Sequence, residues 1–445
     1  MGLGGVGIDG TYPEVSKDLM LSKLSVLKDQ FIENYNPDIK VRVDRIKRLQ
    51  LLVEENMDSF HKALQSDFGS RHEQMSLLSD TLPVINNAKD ALKNIHKWMK
   101  PEKRKPNFPL GLLGAKAYIQ FQPYGVVGII SPWNFPLILS IAPLVEVLAA
   151  GNNAMMKLSE FVPATSELTE ELISKYFNEK EVVVINGGPK TSQEFSSLPF
   201  DHLLFTGSTA VARKVALSAA ENLVPLTLEL GGKSPSIISQ NAKIKKTVDQ
   251  IMTGKLLNSG QICISPDYVF APSDKVSEFV EYAKNHVSER YPTIKNNPDY
   301  TSIIHLNHYD RLNNLINDAR EKGAEIIEIN PANEDLSQQQ YHKIAPTLVL
   351  NPTDDMKIMQ EEIFGPLLPV KTYNNFSDVI SYVNKLPKAL ALYYFGNEKS
   401  EIDELLNKTS SGQIAINDLI SQFAMHDLPF GGVGPSGMGS YHGYD

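Results

Sequence analysis

The sequence contains one cysteine, Cys263, among its 445 residues. An intrachain disulfide is therefore excluded, and a single thiol is too few for a cysteine-clustered zinc or iron–sulfur site. The sequence also lacks an excess of positive charge, because 43 Lys and Arg residues are outnumbered by 52 Asp and Glu residues, which gives a net charge of −9. This balance disfavours general binding to a nucleic-acid backbone, and we expect no nucleic-acid partner.

Long uninterrupted hydrophobic runs are missing as well. The most apolar stretch, residues 125–151, is interrupted by polar residues and prolines: Ser131, Pro132, Asn134, Pro136, Ser140, Pro143 and Glu146. A membrane span needs about 20 mostly apolar residues. The N-terminal residues lack the charged and apolar regions of a signal peptide, and Val6 does not fit the myristoylation pattern. We therefore expect a soluble, cytoplasmic protein without a membrane segment.

The chain length predicts two or three domains at about 150 residues each. In residues 1–100, apolar side chains recur at spacings of three and four, which predicts helices with one face in a core. The stripes are Leu24, Leu27 and Phe31; Val43, Ile46, Leu49, Val53, Met57, Phe60 and Leu64; and Met75, Leu78, Leu82, Ile85, Leu92, Ile95 and Met99. Pro83 predicts a kink or break in the third stripe.

From residue 123 onward, short apolar runs alternate with helix-length segments, which indicates βαβ units and parallel sheets. The predicted strands are Val126–Ile130, Ala154–Met156, Val182–Ile185, His202–Phe205, Tyr268–Ala271, Thr347–Leu350 and Leu368–Lys371. The predicted helices are Ala142–Ala150 (with Pro143 near its start), Ala164–Tyr176, Ala210–Asn222, Val248–Leu257, Lys275–Glu289, His308–Lys322 and Phe376–Asn384. We predict two successive α/β domains, plus a small element formed by Pro101–Gln122 and the C-terminus, in which Ala117–Gln122 is an edge strand.

Three segments are candidates for a loop that binds dinucleotide phosphates. Two match the pattern G-x-G-x-x-G but lie too close to a chain end to sit inside a βαβ unit, so we interpret both as loops. They are Gly2, Gly4 and Gly7, and Gly432, Gly434 and Gly437. The third, around Gly207 and Ser208, follows a predicted strand and opens a predicted helix, where backbone N–H groups suit a pyrophosphate. A helix cap formed by Ser208 is the commoner use of such a turn, and both interpretations stay open.

Cys263 is either a small buried hydrophobic residue or a nucleophile. Its neighbours favour an exposed loop over a core strand: Asn258, Ser259, Gly260 and Gln261. The nearest histidine in the sequence, His286, lies in a predicted helix, so the sequence gives no sign of a Cys–His pair.

Two further residues, Glu229 and Asn134, are candidates for a catalytic role. Glu229 ends an apolar strand, where burial would raise its pKa towards that of a general base; a strand-end glutamate facing solvent is equally compatible. Asn134 lies in a proline-bounded loop, where its amide suits either an oxyanion or an ordinary turn. His305 and His308 have a spacing found in metal sites but lack a third ligand, so we interpret them as a loop and helix start and expect no metal.

Seven segments together resemble the aldehyde dehydrogenase superfamily, in the family's order and at similar spacing, from about Gln120 to the C-terminus. They are Pro123–Pro136, Gly151–Glu160, Phe205–Ser208, Leu228–Lys233, Gly260–Cys263, Glu361–Pro366 and Leu428–Gly439. The stretch Ser436–Gly443 and the short N-terminal region are similar to the class 3 branch. Within that branch, Phe121–Gly128 and Tyr441–Asp445 are most similar to coniferyl aldehyde dehydrogenase-like members. Leu158, Ala212 and Ile262 depart from the family's usual residues, but none of these departures removes a reacting group.

The resemblance implies a role for each site residue. Cys263 would be the nucleophile, Glu229 the general base, and Asn134 with the Cys263 backbone N–H the oxyanion hole. The residues implied to bind NAD or NADP are Lys157 and Glu160 at the adenosine ribose, Ser208 at the pyrophosphate, Glu362 and Phe364 at the nicotinamide ribose, and also Ser131, Trp133, Gly187, Gly207, Val211 and Leu230.

The fold implied by the resemblance has three parts. A Rossmann-like dinucleotide-binding domain would comprise residues 1–100 and 123–231, a catalytic α/β domain residues 232–427, and a bridging β element residues 101–122 and 428–445. The implied function is NAD(P)-dependent oxidation of an aromatic or medium-chain aldehyde by a homodimer. A thiol esterase or acyltransferase without a redox step is the alternative.

Overall fold

A computed structural model describes residues 13–444, which begin with a layer of helices. These are α1 Lys17–Glu33, α2 Ile39–Glu55, α3 Met57–Phe68, α4 Glu73–Ser76 and α5 Leu82–Trp98. The second apolar stripe is shared between two helices, because the backbone at Asn56 leaves helical geometry. Pro83 lies in the first turn of α5, directly after a π-helical turn at Leu77–Thr81. The backbone stays helical from Glu73 to Trp98, so the predicted kink or break is a change of helix type and not an interruption.

The next elements build a sheet that is parallel apart from one short strand. Its strands are β3 Val126–Ile130, β4 Asn153–Lys157, β5 Val182–Ile185, β6 His202–Thr206, β7 Leu226–Glu229 and β15 Gly437–Met438, in the order β15-β7-β6-β3-β4-β5. Its connecting helices are α6 Ile138–Ala149, α7 Pro163–Tyr176, α8 Pro189–Ser196 and α9 Thr209–Ala220. Strands β3 to β5 are buried along their whole length, as expected when helices cover both faces of a parallel sheet.

A second, larger sheet follows. Its strands are β8 Pro235–Ile238, β9 Tyr268–Pro272, β10 Glu325–Glu328, β11 Thr347–Leu350, β12 Leu367–Tyr373, β13 Ala391–Phe395 and β14 Gln413–Ile416, in the order β10-β11-β12-β9-β8-β13-β14. Its helices are α10 Ile244–Leu256, α11 Val276–Arg290, α12 Leu306–Glu321, α13 Lys357–Gln360, α14 Phe376–Lys385 and α15 Lys399–Lys408. Only β10 pairs antiparallel among these described strands, so the predicted α/β class with two parallel sheets is confirmed.

The helix predicted to begin at Ala142 begins instead at Ile138, which places Pro143 in its interior. The first turn is already formed before the proline, because Ile141 N–H donates to the Leu137 carbonyl at 2.7 Å. Proline in a helix interior normally weakens the helix. Here the surrounding residues are almost all buried, and tertiary packing outweighs the loss of one backbone hydrogen bond.

The C-terminal segment lies beside the first sheet. The short strands β1 Glu102–Arg104 and β2 Ala117–Ile119 pair only with each other among the described residues, whereas Gly437 pairs with Glu229. The Phe121 and Tyr444 rings lie 5.9 Å apart, which joins the two parts predicted to form a bridging element. The domain boundaries given above stay a prediction.

One of the two glycine-rich matches to G-x-G-x-x-G lies among the described residues and forms a loop, as predicted. Gly434 and Gly437 form a tight turn, with Gly437 N–H donating to the Gly434 carbonyl at 3.2 Å. Gly2, Gly4 and Gly7 lie outside the described residues. Between residues 13 and 444, no helix has both the length and the apolar character that crossing a membrane requires.

An ionic cluster joins α2 to the turn before β5. Glu181 accepts from Arg45 Nε at 3.0 Å and from two Arg48 nitrogens at 2.9 Å. Burial raises the pKa of Glu181, but Arg48 and Arg45 outweigh this effect, so the net pKa is lowered. Because the folded pKa lies below the unfolded value, the stabilisation is present at neutral pH and is lost as the pH falls through the folded pKa.

We expect Glu181→Gln to lower the free energy of unfolding by about 1–3 kcal/mol at pH 7, because it leaves Arg45 buried without its charged partner. Urea denaturation at a series of pH values measures this difference, which should shrink below about pH 4. Glu179→Gln, at an exposed neighbouring position, is the matched control. Equal losses in both variants would contradict the assignment.

Candidate active site

The carboxyl ends of the first sheet bring together most of the predicted site residues. Ser131, Trp133 and Asn134 follow β3, Lys157 ends β4, Gly187 follows β5, Gly207 and Ser208 follow β6, Glu229 ends β7 and Leu230 follows it. Parallel strands place their carboxyl ends at one edge, where open α/β sheets bind ligands. The sheet topology thus gathers residues that are up to about 100 positions apart in the sequence.

The loop that leads to Cys263 is buried, so the expectation of an exposed loop is wrong. Its polar side chains find partners inside the protein: Gln261 Nε2 donates to the carbonyls of Asn258 and Ser302, each at 3.0 Å, and its Oε1 accepts from Ile304 N–H at 3.0 Å. A buried polar group that is hydrogen-bonded is not disfavoured. Composition alone cannot distinguish such a loop from a solvated one.

Glycine is required within this loop. Gly260 has φ +74°, and an added Cβ would collide with the Gly365 carbonyl. The preceding Asn258 and Ser259 also have positive φ values of 49° and 51°. Tight packing and an unusual backbone therefore fix where Cys263 points.

Asn134 ties the loop after β3 to the cysteine loop. Its side-chain nitrogen donates to the Gln261 carbonyl at 3.0 Å. The Asn134 backbone carbonyl accepts hydrogen bonds from Asn258 Nδ2 at 3.2 Å and from Arg71 Nη1 at 2.8 Å. Since an amide NH₂ has two hydrogens, one remains for a ligand after the bond to Gln261 is made.

Glu229 is 2% exposed, so the solvent-facing alternative is excluded. Neither carboxylate oxygen has a hydrogen-bond partner among residues 13–444. Burial raises the pKa of Glu229 well above its ordinary value. A buried carboxyl without donors is costly to ionise and is suited to holding or taking a proton.

The Cys263 thiol is protonated at neutral pH in this structure. Burial, followed by the charges of Glu362 and Glu229, raises its pKa to about 12. Because the charge of Glu229 affects the pKa of Cys263, the predicted nucleophile and the predicted base interact electrostatically. A thiolate therefore does not form readily here without a group that accepts the proton.

Glu362 and Phe364 reach the same cleft from the second sheet. The Glu362 carboxylate packs against Gly231 and accepts a hydrogen bond from the Gly232 backbone, and burial and Asp267 raise its pKa to about 8. The Phe364 ring meets Trp133 edge-on at 5.4 Å. The predicted residues from the two sheets are therefore in contact.

Lys157 and Glu160 form a buried pair at the end of β4, with Nζ 3.5 Å from Oε2. Burial lowers the pKa of Lys157, while Glu160 and Glu14 oppose that effect. Glu14 accepts from Thr191 N–H at 2.6 Å, and Thr191 leaves no room for a Cβ on Gly187. These residues make a polar wall at one end of the cleft.

The turn after β6 is a helix cap. Ser208 Oγ accepts from Val211 N–H at 3.4 Å, so the cap interpretation is confirmed, while binding of a phosphate stays a prediction.

The other predicted cofactor residues differ in exposure. Val211 is 47% exposed, whereas Leu230 is buried and its N–H donates to the Ser436 carbonyl at 3.1 Å. The buried Ser131 hydroxyl lacks a partner among the described residues, which leaves it available to a ligand.

The two histidines are placed as predicted. His305 Nδ1 accepts from the His308 N–H at 3.2 Å and caps α12. The His308 ring lies 5.2 Å from Trp133, so it borders the cleft. Because this geometry uses His305 as a cap, it gives no support to a metal site at this pair.

Four residues near the site had no signal in the sequence. Arg71 comes from the loop between α3 and α4, Asp80 from the π-helical turn before α5, Tyr393 from β13 and Tyr441 from the C-terminal segment. The Tyr393 hydroxyl donates to the Ile264 carbonyl at 2.6 Å. Burial, followed by the charge of Glu229, raises the pKa of Tyr441, so this residue is within the electrostatic influence of the buried acid. Only the three-dimensional fold brings these four residues to the loops around the site.

Comparison with known sequences gives one family. The profile described as "Aldehyde dehydrogenase family" matches residues 28–445. "Probable coniferyl aldehyde dehydrogenase" of Caulobacter vibrioides is 52% identical over 97% of this chain and 89% of its own length. "Coniferyl aldehyde dehydrogenase" of Pseudomonas sp. is 45% identical over 98% and 90%. "Aldehyde dehydrogenase family 3 member A2" of Rattus norvegicus is 35% identical over 94% and 84%.

Solved structures share the fold over nearly the whole chain. AldH of Staphylococcus aureus, in a substrate-bound state, superposes with a TM-score of 0.89 at 36% identity and covers 96% of this chain and 91% of its own. An aldehyde dehydrogenase of Mycobacterium tuberculosis, complexed with NAD+, gives a TM-score of 0.85 at 25% identity over 97% and 88%.

The effect of Glu362 on the thiol is directly testable, because Cys263 is the only cysteine and any alkylation reports on it. We expect Glu362→Gln to accelerate iodoacetamide labelling at pH 9 by up to about tenfold, since removing a nearby negative charge lowers the thiol pKa. Mass spectrometry of timed samples measures the rate. Glu361→Gln removes a charge that does not shift Cys263 and is the control. Identical rates for the two variants would refute the coupling.

Proposed function

Because the chain belongs to the aldehyde dehydrogenase family, we propose that it oxidises an aldehyde to the carboxylic acid through a thioester on Cys263, with NAD or NADP as hydride acceptor. One observation carries the proposal. The only thiol lies in a rigid buried loop that is hydrogen-bonded to the Asn134 amide, and it lies within the electrostatic influence of Glu229, a buried carboxyl without donors.

In the first step, Cys263 Sγ bonds to the aldehyde carbon while the thiol proton is released to water. The carbonyl π electrons move to oxygen and give an alkoxide. The free hydrogen of the Asn134 amide and the Cys263 backbone N–H are the donors that stabilise this charge. Fixed donors of this kind are worth about 3–4 kcal/mol each.

In the second step, the carbonyl re-forms and the carbon–hydrogen bond breaks, which leaves a thioester on Sγ. An oxidised nicotinamide, when bound, supplies the acceptor for the departing hydride. The residues fit such a group: the orphaned Ser131 hydroxyl, the α9 N-terminus after Gly207 and the buried Lys157 offer donors along the cleft. Glu362 and Phe364 would hold the nicotinamide end, beside Trp133.

In the third step, Glu229 accepts a proton from water, whose oxygen attacks the thioester carbon. The carbon–sulfur bond breaks, the carboxylic acid leaves, and the proton on Glu229 passes to the sulfur, which restores the thiol and the carboxylate. The balance is one aldehyde, one oxidised cofactor and one water consumed, and one acid, one reduced cofactor and one proton released. Among residues 13–444, no donor forms a hydrogen bond with the Glu229 carboxylate, so its oxygens are available for this proton transfer.

We further propose an aromatic or medium-chain aliphatic aldehyde as substrate. The relatives named for coniferyl aldehyde support the aromatic class. On the Tyr441 side, a cluster of buried rings packs together, with Phe423 4.9 Å from Phe430. A flat or apolar aldehyde suits such a wall. The homodimer and the cytoplasmic location implied by the resemblance stay predictions, as does the choice between NAD and NADP, which Glu160 would bias against a 2′-phosphate by charge.

Replacement of the nucleophile is the first test. We expect Cys263→Ala to abolish cofactor reduction, measured at 340 nm, over a panel of aromatic and aliphatic aldehydes with NAD and NADP side by side. Cofactor binding, measured by calorimetry, should persist, because the adenosine end lies elsewhere in the cleft. Aldehyde oxidation by the alanine variant at the wild-type rate would overturn the mechanism. Ester turnover by the wild type with no heat of cofactor binding would instead support the alternative of a thiol esterase.

Glu229 should govern turnover more than the first hydride transfer. Because burial raises its pKa, the base form is lost at a higher pH than for an ordinary glutamate, and steady-state turnover should fall on acidification. Stopped-flow absorbance should still record a burst of reduced cofactor under these conditions. Glu229→Gln should keep a burst and lose at least about 100-fold in turnover. A burst that disappears in parallel with turnover would contradict the base assignment.

A further inference from the structure

We infer that Arg71, in the loop between α3 and α4, and Asp80, in the π-helical turn before α5, are positioning residues that set the place of Asn134 and thereby the oxyanion hole. Neither residue reaches the thiol or the cofactor cleft. The inference rests on the proposed function, since it assumes that the Asn134 amide stabilises an oxyanion. It assigns a specific part in the reaction to a helical layer that otherwise supports the first sheet.

Arg71 is fully buried and reaches the catalytic loop directly. Its Nη1 donates to the Asn134 carbonyl at 2.8 Å, and its Nη2 donates to Asp80 and to Ser79 Oγ, the latter at 3.1 Å. The guanidinium is also held between two rings, 4.6 Å from the centroid of Phe68 and 5.1 Å from that of Phe135. A planar guanidinium clamped in this way has one orientation.

Asp80 binds the same loop at Leu137 and Ile138, a few residues after Asn134. Its Oδ1 accepts from the Leu137 and Ile138 N–H groups at 3.1 and 3.4 Å, while Oδ2 accepts from Arg71. Asp80 lies in the π-helical turn Leu77–Thr81, and such turns add a residue that re-aims the side chains of a helix. The ion pair therefore holds the loop at Asn134 and at Leu137–Ile138 together.

The energetic logic favours positioning over general stabilisation. A buried ion pair seldom adds net stability over apolar residues of equal volume. This pair, however, satisfies three backbone groups of a single loop, and that loop carries the proposed oxyanion donor. Asn134 must give one amide hydrogen to Gln261 and aim the other at substrate. A shift of about 1 Å in such a donor can cost about 100-fold in rate.

The experiment compares four variants of the full-length enzyme with the wild type. They are Arg71→Lys, Asn134→Ala, the double variant of both, and Arg45→Lys, which alters another buried arginine of the same helical layer that pairs with Glu181 away from the site. Three rates or constants are measured: the hydride burst with a benzaldehyde, alkylation of Cys263 by iodoacetamide, and the Kd for NAD+. Alkylation needs the thiol but no oxyanion hole, so it reports on general damage to the cysteine loop.

We expect Arg71→Lys to slow the burst by about 10- to 100-fold while alkylation and the NAD+ Kd change less than twofold. Arg45→Lys should leave all three within twofold. The double variant should be no slower than Asn134→Ala, because Arg71 acts through Asn134. If Arg71→Lys does not fold, Asp80→Asn replaces it under the same criteria, since it keeps an oxygen for the backbone N–H groups.

The inference is overturned if Arg71→Lys gives a hydride burst at the wild-type rate while Asn134→Ala slows the burst. It is likewise overturned if the burst and alkylation fall in equal proportion, or if the losses of the two single variants multiply in the double variant. A wild-type burst in Asn134→Ala has a different meaning, because it removes the oxyanion role from the proposed function itself.

Discussion

The hydrogen bond from the Asn134 amide to the Gln261 carbonyl is the contact on which the site depends. It joins the loop after the first parallel strand to the loop that carries Cys263, and the Asn258 side chain returns a second bond to the Asn134 carbonyl. Without this interlock, the donor and the nucleophile would belong to two independent loops. The positive φ angles of the cysteine loop are tolerated because these bonds and the surrounding packing fix it.

Electrostatics around the thiol are unfavourable to a charged sulfur. Burial and two nearby carboxyl groups, Glu362 and Glu229, raise the pKa of Cys263, so the site holds a neutral thiol at rest. Such a thiol is a poor target for oxidants and alkylating agents, which react with the thiolate. In the proposed mechanism, reactivity comes from loss of the thiol proton to water as the sulfur attacks the aldehyde carbon, and Glu229 serves the later hydrolysis step.

The sequence alone predicted much of the fold and indicated the candidate reacting groups. Strands Val126–Ile130, Val182–Ile185 and Thr347–Leu350 have the predicted bounds, because short, fully apolar runs between helical segments are a strong signal for buried parallel strands. Cys263, Glu229 and Asn134 stood out because each is a polar or reactive residue in a segment of distinctive composition. The structure brings these three into one neighbourhood, whereas their roles are proposals.

Other features had no signal in the sequence, for physical reasons. Residues 258–261 were expected to be exposed because they are polar. Their hydrogen-bond partners lie inside the protein, and these partners are known only once the tertiary structure is known. Pro143 read as a helix start, yet packing of an apolar helix overrides the local preference. Arg71 contacts Asn134 across 63 positions of sequence, so its part could not be inferred from neighbouring residues.

The central claim, that an aldehyde carbon is bonded to Cys263 when its hydrogen leaves, is tested most directly by an isotope experiment. Wild-type enzyme would be mixed with equimolar NAD+ and a benzaldehyde deuterated at the aldehyde carbon, and quenched in acid within the first turnover. Mass spectrometry should find the deuterium in the reduced cofactor and an aroyl mass without deuterium on the peptide that contains Cys263. An acid product formed with no acyl mass on that peptide during the turnover, or with deuterium absent from the cofactor, would contradict the account.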